Sequence, residues 1–324
     1  MRSRPLSIAF AFLLLFAQAI PCCVAMRPGA SVLLSDENVV IVWDKARGIE
    51  HFVRQAKFTG NQKDFGFIVP TPTEPELALA DSKVSEMLEA QIPKPKERHD
   101  ETLSMAAPTK ALGKVEVIRT QTVGHYDATV VRATDGNALG GWLAKNGYAT
   151  RPAMEVWLDS YAKRNWIFTA FKFTGTDPKA GTMTEAIRVS FKTDKPHYPY
   201  KMPKDTWPPN WYRPMNVYFV SSSPMKGVYE GSDSKWEAEV RYAGSLGNGA
   251  VDELAGELKL KREDMPAHAT MTVFKNGDNP DGYAFDLNFE PRPSYLWAAW
   301  LLGGAASILI LIKVRMRRMS LARA

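Results

Sequence analysis

Eighteen consecutive residues without a charge, Tyr295–Ile312 (YLWAAWLLGGAASILILI), limit what this chain can become more than any other stretch. As a helix rising ~1.5 Å per residue they reach about 27 Å, close to the ~30 Å hydrocarbon thickness of a bilayer. Tyr295, Trp297 and Trp300 gather at one end, where amphipathic rings favour the headgroup region. Lys313, Arg315, Arg317 and Arg318 follow the other end, and basic residues beside a span stay in the cytoplasm. The sequence therefore predicts a transmembrane helix over residues 294–312 and a basic cytoplasmic tail over 313–324. Gly303 and Ser307, four apart, are the small residues on which two such helices would approach. A span followed by arginines also fits a processed sorting tail, although no clear sorting motif precedes it.

The opposite end carries an export signal. Arg2 and Arg4 precede an apolar run from Ile8 to Ile20, and small residues suit cleavage after Ala19 or after Ala25. A signal peptide over 1–25 and a C-terminal span place residues 26–293 on the periplasmic or extracellular side of the cytoplasmic membrane, as a single-pass protein. Charge agrees with this division. The net charge is +6, but seven of the 41 basic residues lie in the two ends, which hold no acid, so the rest carries 34 basic against 35 acidic side chains. A near-neutral domain of that kind is no nucleic-acid binder. Its expected partners are the lipid bilayer and an extracytoplasmic protein or glycan. Cys22 and Cys23 are the only cysteines. The domain beyond them has no internal disulfide, and if processing retains them they are candidate thiols for an intermolecular bond or a ligand.

Patterns along residues 26–293 predict an α+β fold, mainly antiparallel sheet with a few packed helices. Val39–Trp43 is continuously apolar, Asp44–Gly48 is a turn, and Ile49–Phe58 alternates, which predicts a hairpin. Strands are expected at Phe65–Val69, Val115–Val123, Tyr126–Ala133, Trp166–Phe173, Ala186–Lys192, Asn216–Val220, Trp236–Tyr242, Ala269–Phe274 and Tyr283–Phe289. Helices are expected at Ser82–Gln91, Asn137–Asn146, from Pro152 through Tyr161, and at Val251–Lys261. Short turns between successive strands favour antiparallel pairing over βαβ units. The polar, proline-bearing stretch 93–113 is a loop that could divide two subdomains.

Five segments in this order resemble an uncharacterised bacterial family known as a domain of unknown function, number 2330. They are Val40–Asp44, Phe65–Leu77 (FGFIVPTPTEPEL), Gly141–Ala149 (GWLAKNGYA), Trp166–Phe173 (WIFTAFKF) and Ile187–Pro203 (IRVSFKTDKPHYPYKMP). The resemblance covers roughly residues 22–204. It implies an exported protein with cysteine near its start and an anchoring C-terminus, and it carries no catalytic residue across.

No local spacing announces chemistry. His51, His99, His125, His197 and His268 stand in no zinc-ligand pattern, and there is no GxSxG, P-loop or dinucleotide fingerprint. No metal or cofactor is expected. Glu155 and Asp159 share a helix face with Lys163 four further on, which reads as a solvated face more readily than an acid/base pair. Asn276, Asp278 and Asp281 crowd a glycine turn, a hairpin before a calcium loop. Gly247-Asn248-Gly249 begins like a glycine-rich phosphate loop, but Asp252 stands where the third glycine belongs. The candidate binding residues are Tyr198, Tyr200, Trp207, Trp211 and Tyr212, rings on a proline-stiffened segment that suit a sugar or peptide if they face outward. The expected function is thus a non-catalytic binding or scaffolding module tethered to the membrane. The rival is a tethered hydrolase whose site is assembled from distant residues.

Overall fold

The computed structural model describes residues 24–26, 32–93, 115–148, 150–174, 184–204, 215–276 and 283–293, apart from 61–64. Its centre is the apolar run predicted as a strand. β2 (Val32–Asp44) turns into β3 (Ile49–Gly60), and the two pair antiparallel from Val32↔Gly60 to Asp44↔Ile49. The turn closes because Asp44 Oδ1 accepts from the Ala46 and Arg47 amides while Gly48 sits at φ 63°, a left-handed position that suits glycine. β9 (Ile187–Lys192) pairs with β3, and β5 (Glu76–Leu79) pairs with β9. On the other side β11 (Met215–Ser221) runs parallel to β2, then come β14 (Thr270–Lys275) and β13 (Glu239–Ser245). The seven-stranded order is β13-β14-β11-β2-β3-β9-β5.

A second sheet has the order β1-β4-β8-β7-β6 and is antiparallel throughout. Its strands are β1 (Val24–Met26), β4 (Phe65–Thr71), β8 (Ile167–Phe173), β7 (Tyr126–Ala133) and β6 (Val115–Val123). β10 (His197–Tyr198), β15 (Leu287–Pro291) and β12 (Met225–Tyr229) form a small third sheet. The helices are α1 (Val84–Ala90), α2 (Gly136–Lys145), α3 (Pro152–Ala162) and α4 (Asn248–Glu257).

Strand alternation divides the core into layers. Val39, Ile41 and Trp43 of β2 meet Phe67, Tyr126 and Phe171 of the second sheet in one apolar cluster between the sheets. Val40 and Val42 face the other way, beneath α1 and α4, with Leu88, Leu254 and Val273. On the outer face of the second sheet, Val131 and Phe168 pack under Leu139 and Leu143 of α2 and Met154 and Leu158 of α3. The result is a helix–sheet–sheet–helix stack, each sheet hydrophobic on both faces. The α+β class and the mainly antiparallel pairing are as the sequence predicts; the β2–β11 pair is parallel.

Strands from either side of residues 93–113 share both large sheets, as β4 with β8 and β3 with β9. Residues 1–290 form one compact unit; 291–324 form another, of which 291–293 are described. Among the described residues no helix is long and apolar enough to cross a membrane. The segment 294–312, the tail and residues 1–23 of the expected signal 1–25 lie outside them, as do Cys22 and Cys23; Val24 and Ala25 belong to β1.

Candidate functional site

The site begins where β9 ends. Lys192 closes that strand, and Thr193 makes a tight turn in which its Oγ1 donates to the Lys195 carbonyl at 2.8 Å. Pro196 then presents its carbonyl to the Phe289 amide at 3.0 Å, and His197 enters the two-residue strand β10 opposite Asn288. The outward amide of His197 donates to Glu50 Oε2 at 2.7 Å. Glu50, on β3, is fully buried, and burial holds its carboxyl well above the usual carboxylate range, which favours the neutral acid. Its Oε1 has no partner.

His197 is 3% exposed. Its Nδ1 faces Asn288 Oδ1 at 3.4 Å, and its Nε2 has no partner. Burial lowers its pKa, so the ring is neutral at physiological pH. Trp166 meets the imidazole edge to face at 4.8 Å. Trp166 arrives there because Asn165 takes a left-handed conformation (φ 57°) just past the end of α3, which asparagine tolerates. The Arg164 guanidinium lies 4.2 Å from the centre of the Trp166 ring and 5.0 Å from Tyr161. It also grips Glu230 through both carboxylate oxygens at 2.9 and 2.8 Å.

Asp286 locks this corner. Its Oδ1 accepts from Tyr161 Oη at 2.7 Å and from the Lys201 amide at 3.0 Å, while Arg164 reaches Oδ2 at 3.3 Å. Trp157 Nε1 donates to the Lys201 carbonyl at 2.8 Å. Helix α3 is thereby tied to the chain that leaves β10.

Above His197 and Trp166 opens a groove of about 700 Å³, within the size range of small-ligand sites. Two of its five charged side chains are committed. Arg47 is held by Asp44 and by Asp264 Oδ1 at 2.7 Å, and Glu230 is held by Arg164. Lys192, Asp194 and Lys195 are exposed and have no ion pair among the described residues. Both hydroxyl side chains of the lining serve the main chain: Thr73 Oγ1 donates to the Lys192 carbonyl at 2.8 Å, as Thr193 does to Lys195. A far smaller cavity of about 10 Å³ lies in the core beside Arg54, which pairs with Glu37 at 2.6 Å; both side chains are buried.

The residues chosen from the sequence fall elsewhere. Tyr198 and Tyr200 are each 1% exposed, so neither is a surface ring. Tyr198 packs 5.7 Å from Phe52, and Tyr200 donates to Asn276 Oδ1 at 2.7 Å beside Tyr283 and Trp236. The reason is the turn at β10, which aims both rings inward, where each buries a large apolar area and finds a polar neighbour. Trp207, Trp211 and Tyr212 lie outside the described residues, as do Asp278 and Asp281. Glu155 is 4% exposed and Asp159 accepts from the Gly136 amide at 3.2 Å and pairs with Lys163 at 2.5 Å, so this pair joins α3 to α2. Helix α4 starts at Asn248, three residues before the expected Val251, so Gly247 caps it and Asn248 and Gly249 form its first turn. Among the described residues no group of three or more His, Cys, Asp and Glu side chains stands where it could hold a metal ion.

His197 and Trp166 were missed because neither belongs to a recognisable spacing. The one local signal was a histidine wedged between prolines, Lys195-Pro196-His197-Tyr198-Pro199, a segment that cannot pair freely and so holds its side chains where tertiary contacts set them.

No curated protein matches the sequence. Among solved structures, the crystal structure of baculovirus P35 aligns with a TM-score of 0.37 and 12% identity, covering 82% of this chain and 93% of that one, a likeness too distant to carry an argument. The model of a family described as an uncharacterized protein conserved in bacteria (DUF2330) matches residues 16–271, well past the 22–204 legible by resemblance, and the chain belongs to that family.

Proposed function

We propose that this protein is a binding module of α+β fold, displayed outside the cytoplasmic membrane by its C-terminal span, whose ligand enters the groove floored by His197. The tether rests on the uncharged run Tyr295–Ile312 with its aromatic and basic ends. The binding role rests on one observation: a groove of about 700 Å³ lined by Trp166 and His197 and by Lys192, Asp194 and Lys195, which have no ion pair among the described residues.

Binding is favoured over hydrolysis by the same wall. Acyl transfer at a histidine needs a nearby nucleophile free to give up its proton. The two threonine hydroxyls of the groove are engaged with main-chain carbonyls instead. The test is thermal unfolding of the full-length chain in detergent against panels of oligosaccharides, peptides and esters. A true ligand at 100 times its Kd adds about 2.7 kcal/mol. His197→Phe removes that shift, and no panel member is turned over. Turnover abolished by His197→Phe would replace this reading with the tethered hydrolase.

A further inference from the structure

We propose that export cuts the chain after Ala19 rather than after Ala25, so that β1 survives as an edge strand of the mature domain and Cys22 and Cys23 stay on the protein just ahead of it. The proposal rests on the reading of the N-terminus as an export signal. Small residues allow either cut, and the signal itself does not choose between them. The sheet does. Val24–Met26 forms β1 beside β4, with Val24 opposite Phe67, Ala25 opposite Gly66 and Met26 opposite Phe65. A cut after Ala25 discards two of these three residues and the strand with them. A cut after Ala19 keeps the strand whole and leaves Ile20 as the first residue.

Losing β1 would fall on β4. Phe65–Thr71 holds no charged residue, and an uncharged apolar strand at a sheet edge is a template for another chain. β1 covers that edge along Phe65–Phe67. β4 has no freedom to hide the edge by shifting. Phe67 is 4% exposed and stacks on Phe171 at 4.8 Å, and a Cβ on Gly66 would fall 2.3 Å from the Phe171 carbonyl oxygen, so β4 lies tight against β8. In the proposed step a membrane signal peptidase adds water across the Ala19–Ile20 bond. Ala19 leaves with a carboxylate, and Ile20 gains a free amine. The mature chain then carries both cysteines, where a cut after Ala25 leaves none.

The test expresses the full-length precursor in an exporting bacterium and purifies the product from membranes in detergent. N-terminal sequencing is expected to read Ile20, and alkylation after reduction is expected to add two labels per chain. Ala25→Leu puts a large residue at the rival site and should mature as wild type does. A precursor lacking residues 20–25, cut after the same Ala19, should melt at least about 3 °C below wild type with both in reductant, since β4 has lost its ladder partner. An N-terminus at Val24 or later, failure of Ala25→Leu to mature, or equal melting of the shortened chain overturns the proposal and leaves export standing. An N-terminus still at Met1 overturns the proposal and the cleaved export signal together.

Discussion

Two buried titratable side chains on adjacent positions of β3 pull stability in opposite directions as pH changes. Glu50 points between the sheets and His51 points beneath the helices. Burial raises the Glu50 pKa, so the folded state keeps a proton that the unfolded chain releases above about 4.5. Its contribution is therefore full at low pH and declines as pH rises through that window. Glu50→Gln keeps an acceptor for the His197 amide and carries no charge to bury. The variant is expected to unfold above wild type at pH 7–8 in calorimetry, with the gap closing toward pH 4.5; a pH-independent gap would contradict a neutral Glu50. His51 is the reverse case. Burial first, then the Arg188 charge, lowers its pKa to about 4, with Arg47 adding and Asp44 and Asp264 opposing. The unfolded chain protonates near 6.5, so stability is full above 6.5 and is lost as pH falls toward 4, by at most about 3 kcal/mol. His51→Asn offers Ser190 Oγ a replacement for its 2.8 Å partner and is expected to flatten that acid limb.

At the scale of elements, the contact between α2 and α3 is set by glycine. A Cβ on Gly136 would fall 2.0 Å from the Glu155 carbonyl oxygen and 2.5 Å from the Asp159 amide, both backbone atoms that cannot step aside. Gly136→Ala should therefore cost about 2–3 kcal/mol through a forced helix shift. Gly256, inside α4, has nothing within 4 Å of a built Cβ, and there alanine should add about 0.5–1 kcal/mol from helix propensity. Urea melts of the two variants should move in opposite directions, and matching shifts would show that the α2–α3 approach is not tight. Elements with strong periodicity were legible beforehand. The hairpin Val115–Val123 and Tyr126–Ala133 matches its predicted bounds, and Pro152 starts α3 as predicted. The misses have local causes. β5 is four residues directly behind Pro75, and β12 holds Gly227, packed beneath Trp236, so neither shows alternation long enough to read. The strand expected from Trp236 begins at Glu239, because Trp236 is spent covering Gly227 and the core. The groove was illegible for a deeper reason: Arg47, Trp166, the pair Lys192 and His197, and Glu230 come from four separate stretches of chain, and only the sheet order brings them together.

For the whole molecule, every functional expectation depends on which side of the membrane residues 26–293 occupy, and energetics makes that testable. The run Tyr295–Ile312 holds eight leucines and isoleucines. At roughly 0.3–0.6 kcal/mol each toward insertion, they supply about 2–5 kcal/mol. One arginine at the centre of a span opposes insertion by about 2.5–3.5 kcal/mol. Ala305→Arg with Ile308→Arg thus outweighs the whole aliphatic contribution. Wild-type protein should stay in the membrane pellet at alkaline pH, and the double variant should pass to the soluble fraction. The mature N-terminus must be sequenced alongside, since an uncleaved signal would hold the variant in place by its own apolar run. A tag on Ala324 should be protected from protease added outside intact cells, because Lys313, Arg315, Arg317 and Arg318 resist translocation. Wild-type protein released by alkali, or a tag cleaved from outside, would remove the tether, and the groove would then have to be matched to ligands of another compartment.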